Sequence, residues 1–204
     1  MMPAVHIRSA AAIILAAGKS ERFGSAKLLQ PFQGKSLLMH AVEAVKGIVT
    51  GPVIVVTGGW QEEMGRILEG SGVTVIYNEA FGEGMASSIR KGIGALATAG
   101  ENTDGAFILV GDQPFVDTAL MQRMLSRQEV SRLPMVACHY NEILGTPVLF
   151  HKMMFPRLME LKGDKGARSI LQEDPDRVAT VLFPDGATDI DTPGDYERLL
   201  NADR

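Results

Sequence analysis

Ala11-Ala12-Ile13-Ile14-Leu15-Ala16-Ala17-Gly18-Lys19-Ser20-Glu21-Arg22-Phe23-Gly24-Ser25-Ala26-Lys27 is the stretch on which the reading of this chain turns. Its apolar run is bounded by a breaker and too short to span a membrane, which predicts a buried strand over residues 11–16. Gly18 and Gly24 permit backbone angles that other residues resist, so the chain turns after the strand. A turn of this kind can aim successive N–H groups at an anion while Lys19, Arg22 and Lys27 supply compensating charge. The alternative is a surface loop with stray cations. Standard phosphate motifs do not fit. A P-loop has four residues between its glycines and then Gly-Lys-Ser/Thr, whereas Gly24 is followed by Ser25-Ala26-Lys27; a dinucleotide fingerprint requires a glycine where Ser20 stands.

Outward from this loop, the chain alternates strands and helices. Strands are predicted over 52–57, 73–77 and 105–110, and helices over 36–45 with Ser36 as N-cap, 61–69, 85–96 and 118–128 with Thr118 as cap. The uninterrupted β-branched run at 53–56 marks a strand covered on both faces. This βαβ rhythm predicts an α/β fold, a Rossmann-like and mostly parallel sheet with helices on both faces. After residue 130 the rhythm changes. Runs 134–140 and 146–150 read as strands of a small antiparallel excursion, followed by short helices at 155–161 and 167–172, a strand at 178–183 and a helix at 192–200 with Thr192 as N-cap, Pro193 at its first position and Asp195 at its third. Residues 1–9 read as a frayed lead-in. The whole chain, 1–204, reads as a single domain, its nucleotide-binding part at about 10–130 and the remainder at about 131–204.

The 204 residues carry a net charge of −4, with 46% hydrophobic and 22% charged residues. That balance argues against a general nucleic-acid binder, which would present a basic surface. A local cation cluster suits a small polyanion better than a long one. Cys138 stands alone inside an apolar run and reads as a buried core residue. One cysteine forms no internal disulfide, which fits a reducing cytoplasm. No signal peptide or membrane span is read at the start.

Open parallel sheets bind ligands at the carboxyl ends of their strands. Asp112, in Gly111-Asp112-Gln113-Pro114, follows the fourth strand and is placed to hold Mg²⁺, which takes one or two carboxylates plus substrate phosphates. A turn Asp bonding its own backbone is the alternative. In Asp189-Ile190-Asp191-Thr192-Pro193, alternation puts both carboxylates on one side of a departing strand, and Asp191 is favoured as the second metal ligand; helix capping by these carboxylates is the alternative. Gly84, Ser87 and Ser88 offer backbone and hydroxyls at a helix start, suited to a ribose, base or second phosphate, or only a Ser-rich turn. Lys165 and Arg168 flank another helix start, where a bound anion or plain solvation would account for them. The four histidines read as structural, and no nucleophilic triad is visible.

Taken together, Leu15-Ala16-Ala17-Gly18-x-Ser20-x-Arg22-x-Gly24-x-x-Lys27, Gly82-Glu83-Gly84-Met85-x-Ser87-Ser88, Gly111-Asp112-Gln113-Pro114, Gly145-Thr146-Pro147, Gly163-Asp164-x-Gly166-Ala167-Arg168 and Asp189-Ile190-Asp191-Thr192-Pro193 resemble the MobA-like nucleotidyltransferase superfamily. Within it, the chain looks like the molybdenum cofactor cytidylyltransferase group. The resemblance implies Mg²⁺-dependent transfer of a nucleotide from an NTP, CTP favoured, to a phosphorylated pterin, with release of pyrophosphate. It implies backbone contacts to base and ribose from Leu15, Ala16, Ala17 and Gly18, triphosphate binding by Arg22 and Lys27, Mg²⁺ on Asp112 and Asp191, and acceptor contacts from Gln113, Pro114, Thr146, Lys165 and Arg168. A molybdenum hydroxylase receiving the product is the implied partner. Other readings are a guanylyl or different nucleotidyl transfer, a non-catalytic cofactor chaperone, and a nicotinamide-dependent oxidoreductase, the last disfavoured by the absent dinucleotide fingerprint.

Overall fold

A computed structural model describes residues 4–99, 103–188 and 190–202 of the chain. Strand β1 (Ala10–Ala16) is buried along its whole length and lies at the centre. Beside it runs β4 (Val53–Thr57), then the exposed edge strand β5 (Thr74–Tyr77), both parallel to it. On its other side β6 (Gly105–Val110) is parallel, and β8 (Ile143–His151) is antiparallel to β6. Then come β7 (Met135–Tyr140), antiparallel to β8, and β9 (Val178–Leu182), parallel to β7. The seven strands form one sheet in the order β5-β4-β1-β6-β8-β7-β9. The mostly parallel α/β sheet with one antiparallel strand is the fold the sequence predicts.

Pleating sends alternate residues of β1 into two cores. Ala10, Ala12, Ile14 and Ala16 pack under α1 (Leu37–Lys46), α2 (Gln61–Leu68) and α4 (Thr118–Ser131). Ala11, Ile13 and Leu15 face α3 (Met85–Thr98), α5 (Phe155–Met159) and α6 (Ala167–Glu173). Helix α3 carries Gly92 for a packing reason: a Cβ there would stand 2.5 Å from Ile13 Cγ2. Only a residue without a side chain lets this helix lie so close to the sheet.

Several local expectations are met. Ser36 caps α1, its hydroxyl accepting from the Met39 N–H at 3.3 Å. Helix α7 (Pro193–Ala202) starts as read: the Asp195 carboxylate accepts from the Thr192 N–H at 2.7 Å, and Thr192 Oγ1 accepts from the Asp195 N–H at 3.2 Å. Others need correction. Asp117, not Thr118, caps α4, accepting from the Leu120 N–H at 2.7 Å. Strand β8 begins at Ile143, because Asn141 and Glu142 both adopt positive φ and close a two-residue hairpin. The loop after β1 is not unstructured: it holds a 3₁₀ turn (Lys27–Leu29) and a small hairpin of β2 (Pro31–Phe32) and β3 (Lys35–Ser36). The described part of the lead-in is tied down, with the Val5 N–H donating to Arg132 O and the Ile7 N–H to Gln128 Oε1.

Candidate active site

The chain runs β1, β4, β5 outward and then returns to place β6 on the far side of β1. This creates a topological switch between the carboxyl ends of β1 and β6, where open α/β sheets leave a crevice for ligands. A cleft of about 690 Å³ opens there, lined by Leu15, Ala17 and Gly18 from one strand end and Val110 and Asp112 from the other. Its size lies within the ~300–1,000 Å³ range of small-molecule sites.

The loop that leaves β1 turns at Ser20 (φ +54°), whose carbonyl accepts from the N–H groups of Phe23 and Gly24, and Gly24 follows at φ +76°. Trp60 anchors it from outside, its indole N–H donating to Lys19 O at 3.3 Å. Arg22 and Lys27 are thereby turned into the cleft. Lys27 Nζ lies 2.7 Å from Asp112 Oδ2 and 3.5 Å from Asp191 Oδ1, and Arg22 Nη2 is 2.9 Å from Asp191 Oδ2. Lys27 is the sheltered member at 12% side-chain exposure, whereas Arg22 is 72% exposed and Asp191 39%. A buried stem and a charged tip make Lys27 the fixed point of the group. Lys19 also lines the cleft, paired with Glu21 at 3.4 Å.

Opposite stands the start of α3. Gly84 adopts φ +103° and packs so tightly that a Cβ would meet Gly163 backbone at 2.6 Å and Asp164 Oδ1 at 2.4 Å. The Ala86 N–H donates to Gly163 O, which ties the 163–166 loop to the helix N-terminus. Ser88 lines the cleft, its hydroxyl accepting from Asn78 Nδ2 at 3.0 Å.

Of the residues read from the sequence, Leu15, Ala17, Gly18, Arg22, Lys27, Gly84, Ser88, Asp112 and Asp191 therefore share one cleft. Others do not reach it. Ala16 points into the core beneath, and Ser87 donates to Gly84 O while accepting from Asn78 Nδ2. Gln113 is 5% exposed, and its Nε2 donates to Thr146 O at 3.2 Å and Gly186 O at 3.3 Å. Its amide nitrogen thus joins β8 to the turn after β9, its buried Oε1 has no hydrogen-bond partner among the described residues, and Pro114 is buried beside it. Thr146, Lys165 and Arg168 lie outside the cleft lining, the last two exposed. The Asp-x-Asp segment does not leave a strand: a 3₁₀ turn (Pro184–Ala187) intervenes, and Asp189 falls outside the described residues. Phe81, Met85 and Asp164 line the cleft although sequence reading assigned them no role. Their glycine-rich surroundings were the available signal; their convergence was not.

Among the described residues no group of three or more His, Cys, Asp or Glu side chains is gathered to hold a metal. The oxygens that converge belong to Asp112 and Asp191. That donor set fits Mg²⁺, which binds through one or two carboxylates and completes its shell with water and substrate phosphates, and does not suit a softer metal. Burial pushes the Cys138 thiol up to about 12, leaving it an un-ionised core side chain.

A family model of the MobA-like NTP transferase domain matches residues 12–178. The chain belongs to this family. It is 25% identical over 186 residues to the molybdenum cofactor cytidylyltransferase of Escherichia coli K12, covering 90% of this chain and 92% of that one. It is 35% identical over 129 residues to the bifunctional protein GlmU of Sphingopyxis alaskensis, covering 62% of this chain and 27% of that one. The chain thus spans about a quarter of the length of that relative. Among solved structures, Rv0371c from Mycobacterium tuberculosis superposes with TM-score 0.79 at 28% identity, covering 95% of this chain and 98% of the other; its manganese complex gives 0.76 at 26%, covering 95% and 99%. The MobA-like match begins inside β1 and includes Arg22, Lys27 and Asp112, but ends at β9, before Asp191. No helix among the described residues is long and apolar enough to cross a membrane.

Proposed function

We propose that this chain is a Mg²⁺-dependent cytidylyltransferase that moves CMP from CTP onto the terminal phosphate of a molybdopterin-type acceptor. The observation that carries the reading is the meeting of Lys27, Asp112, Asp191 and Arg22 at the β1/β6 switch point. Leu15, Ala17 and Gly18 form the backbone edge along which base and ribose lie, with Gly84 and Ser88 facing them. Lys27 and Arg22 hold the triphosphate and neutralise charge on the departing pyrophosphate. Asp112 and Asp191 hold Mg²⁺, which supplies charge stabilisation on the phosphate oxygens. An acceptor phosphate oxygen attacks the α-phosphorus in line, forming the new P–O bond as the bond to the β-phosphate oxygen breaks. An ionised phosphate brings its own nucleophile, so the chain's contribution is positioning and electrostatics, and no general base is required. We assign nucleotide binding to about residues 10–130 and acceptor binding to about 131–204, with Lys165 and Arg168 as exposed cations of the acceptor part. The cytoplasm and hand-over to a molybdenum hydroxylase complete the reading, supported by the likeness to the Escherichia coli enzyme.

The match to GlmU favours a second reading, in which the same site serves a different NTP and phosphorylated acceptor. Pyrophosphate release measured with CTP, GTP, ATP and UTP, each with Mg²⁺ and the pterin acceptor, separates the two. Release with CTP alone supports the first; release with no NTP under any acceptor sinks the transferase reading.

A further inference from the structure

Arg22 and Asp191 are too exposed to hold one another: a solvent-exposed ion pair contributes little and fixes no geometry. Their immediate chain neighbours are another matter. Phe23 and Ile190 are both buried in a small third core that also contains Phe32, Leu37 and Leu199, separate from the two cores that flank the sheet. Leu199 and Tyr196 come from α7. The Tyr196 ring meets Phe23 edge-on with centroids 6.1 Å apart, and its hydroxyl donates to Pro31 O. Phe32 meets Phe115, which follows Asp112 by one turn of chain, edge-on at 5.8 Å. At the head of α7 the Asp195 carboxylate accepts from the Asp191 N–H at 3.1 Å as well as from Thr192. The phosphate loop, the Asp191 segment and the Asp112 loop thus each place one side chain in the same small core, and Ile190 together with α7 supplies the part of that core that lies beyond the family match.

We propose that α7 is a docked strap that completes the active site, with Leu199, Tyr196 and Asp195 as positioning residues that hold Asp191 and the Arg22 loop in register. The proposal rests on the reading that these charged groups receive the nucleotide and its metal. Small satellite cores open at lower free energy than the body of a domain, so the strap can loosen without unfolding the sheet. Leu199→Ala weakens it by packing, and Asp195→Asn by the cap. Leu96→Ala is the control: it is a similarly buried leucine about 12 Å along α3 from Ser88, the last residue of that helix to line the cleft.

The test has two arms. Hydrogen exchange of the ligand-free protein reads the loop over residues 18–26 directly: Leu199→Ala and Asp195→Asn speed its exchange, and Leu96→Ala does not. In the second arm, Mn²⁺ and a non-hydrolysable CTP analogue are titrated together; the strap variants bind about tenfold more weakly, since small displacements of a charged site are costly in affinity. Leu96→Ala, despite a comparable loss of Tm, binds as wild type. Unchanged exchange in both strap variants overturns the strap, whatever the nucleotide results. Wild-type protein that binds no nucleotide overturns the transferase reading and leaves the exchange arm to decide the strap alone.

Discussion

Lys27 Nζ lies 2.7 Å from Asp112 Oδ2, across 85 positions of sequence. The same ammonium is 3.5 Å from Asp191. A cation suited to a triphosphate therefore rests against the carboxylates suited to its metal, and the free site is internally neutralised. On the proposed reading, a metal that took the carboxylates would release Lys27 to the phosphates, and the converse would hold equally.

Binding of metal and nucleotide should consequently be coupled. Calorimetric titration of Mn²⁺ with and without a CTP analogue should show metal affinity rising with the nucleotide present, by about 5–150-fold, the usual span of ~1–3 kcal/mol couplings. Lys27→Met should split the two affinities. Nucleotide binding should weaken, and metal alone should bind more tightly because Asp112 and Asp191 lose their internal counter-charge. A fall in both affinities would count against this exchange.

Asp112→Asn keeps the shape of the side chain and removes its charge. Expected is a loss of about 10²–10³ in kcat, the scale for deleting one preorganised electrostatic group, with Tm nearly unchanged. Pyrophosphate release and a thermal melt check the two halves. A large fall in Tm would mean that Asp112 serves the fold.

Gly84→Ala tests the wall opposite. At φ +103° any side chain is strained, and the new Cβ would overlap Gly163 and Asp164. The cost should be at least about 1–3 kcal/mol for the backbone alone, read by denaturant unfolding. Gly82→Ala, where nothing lies within 4 Å and φ is not positive, should cost far less.

Asp195 makes the α7 strap sensitive to acid. Its carboxyl is held below the ordinary carboxylate value, first by the hydrogen bond from the Thr192 hydroxyl and then by that from the Thr192 N–H. A folded value below the unfolded one stabilises α7 above the ordinary carboxylate range, and the contribution is lost as pH falls through the folded value. Hydrogen exchange within α7 should therefore quicken on acidification below that range in wild type. Asp195→Asn should show fast exchange at neutral pH and a shallower acid dependence.

Much was legible in the chain because it was local. The Val53–Val56 run, the Ser36 cap and the Thr192/Asp195 start each depend on residues a few positions apart, where periodicity and hydrogen-bond geometry act directly. The hairpin of β2 and β3 escaped notice because each strand has two residues, too few to show a period. The surroundings of Gln113 were hidden for a different reason: the groups its amide meets, Thr146 O and Gly186 O, lie 33 and 73 positions away. The stretch from Ala11 to Lys27, by itself, determined a buried central strand followed by a cationic turn, since burial and turning are properties of consecutive residues. Only the tertiary structure decided which carboxylates those cations meet. That choice depends on sheet order, which brings β6 beside β1, and on the packing of Phe23 against Ile190 and α7, and neither is written in any short segment.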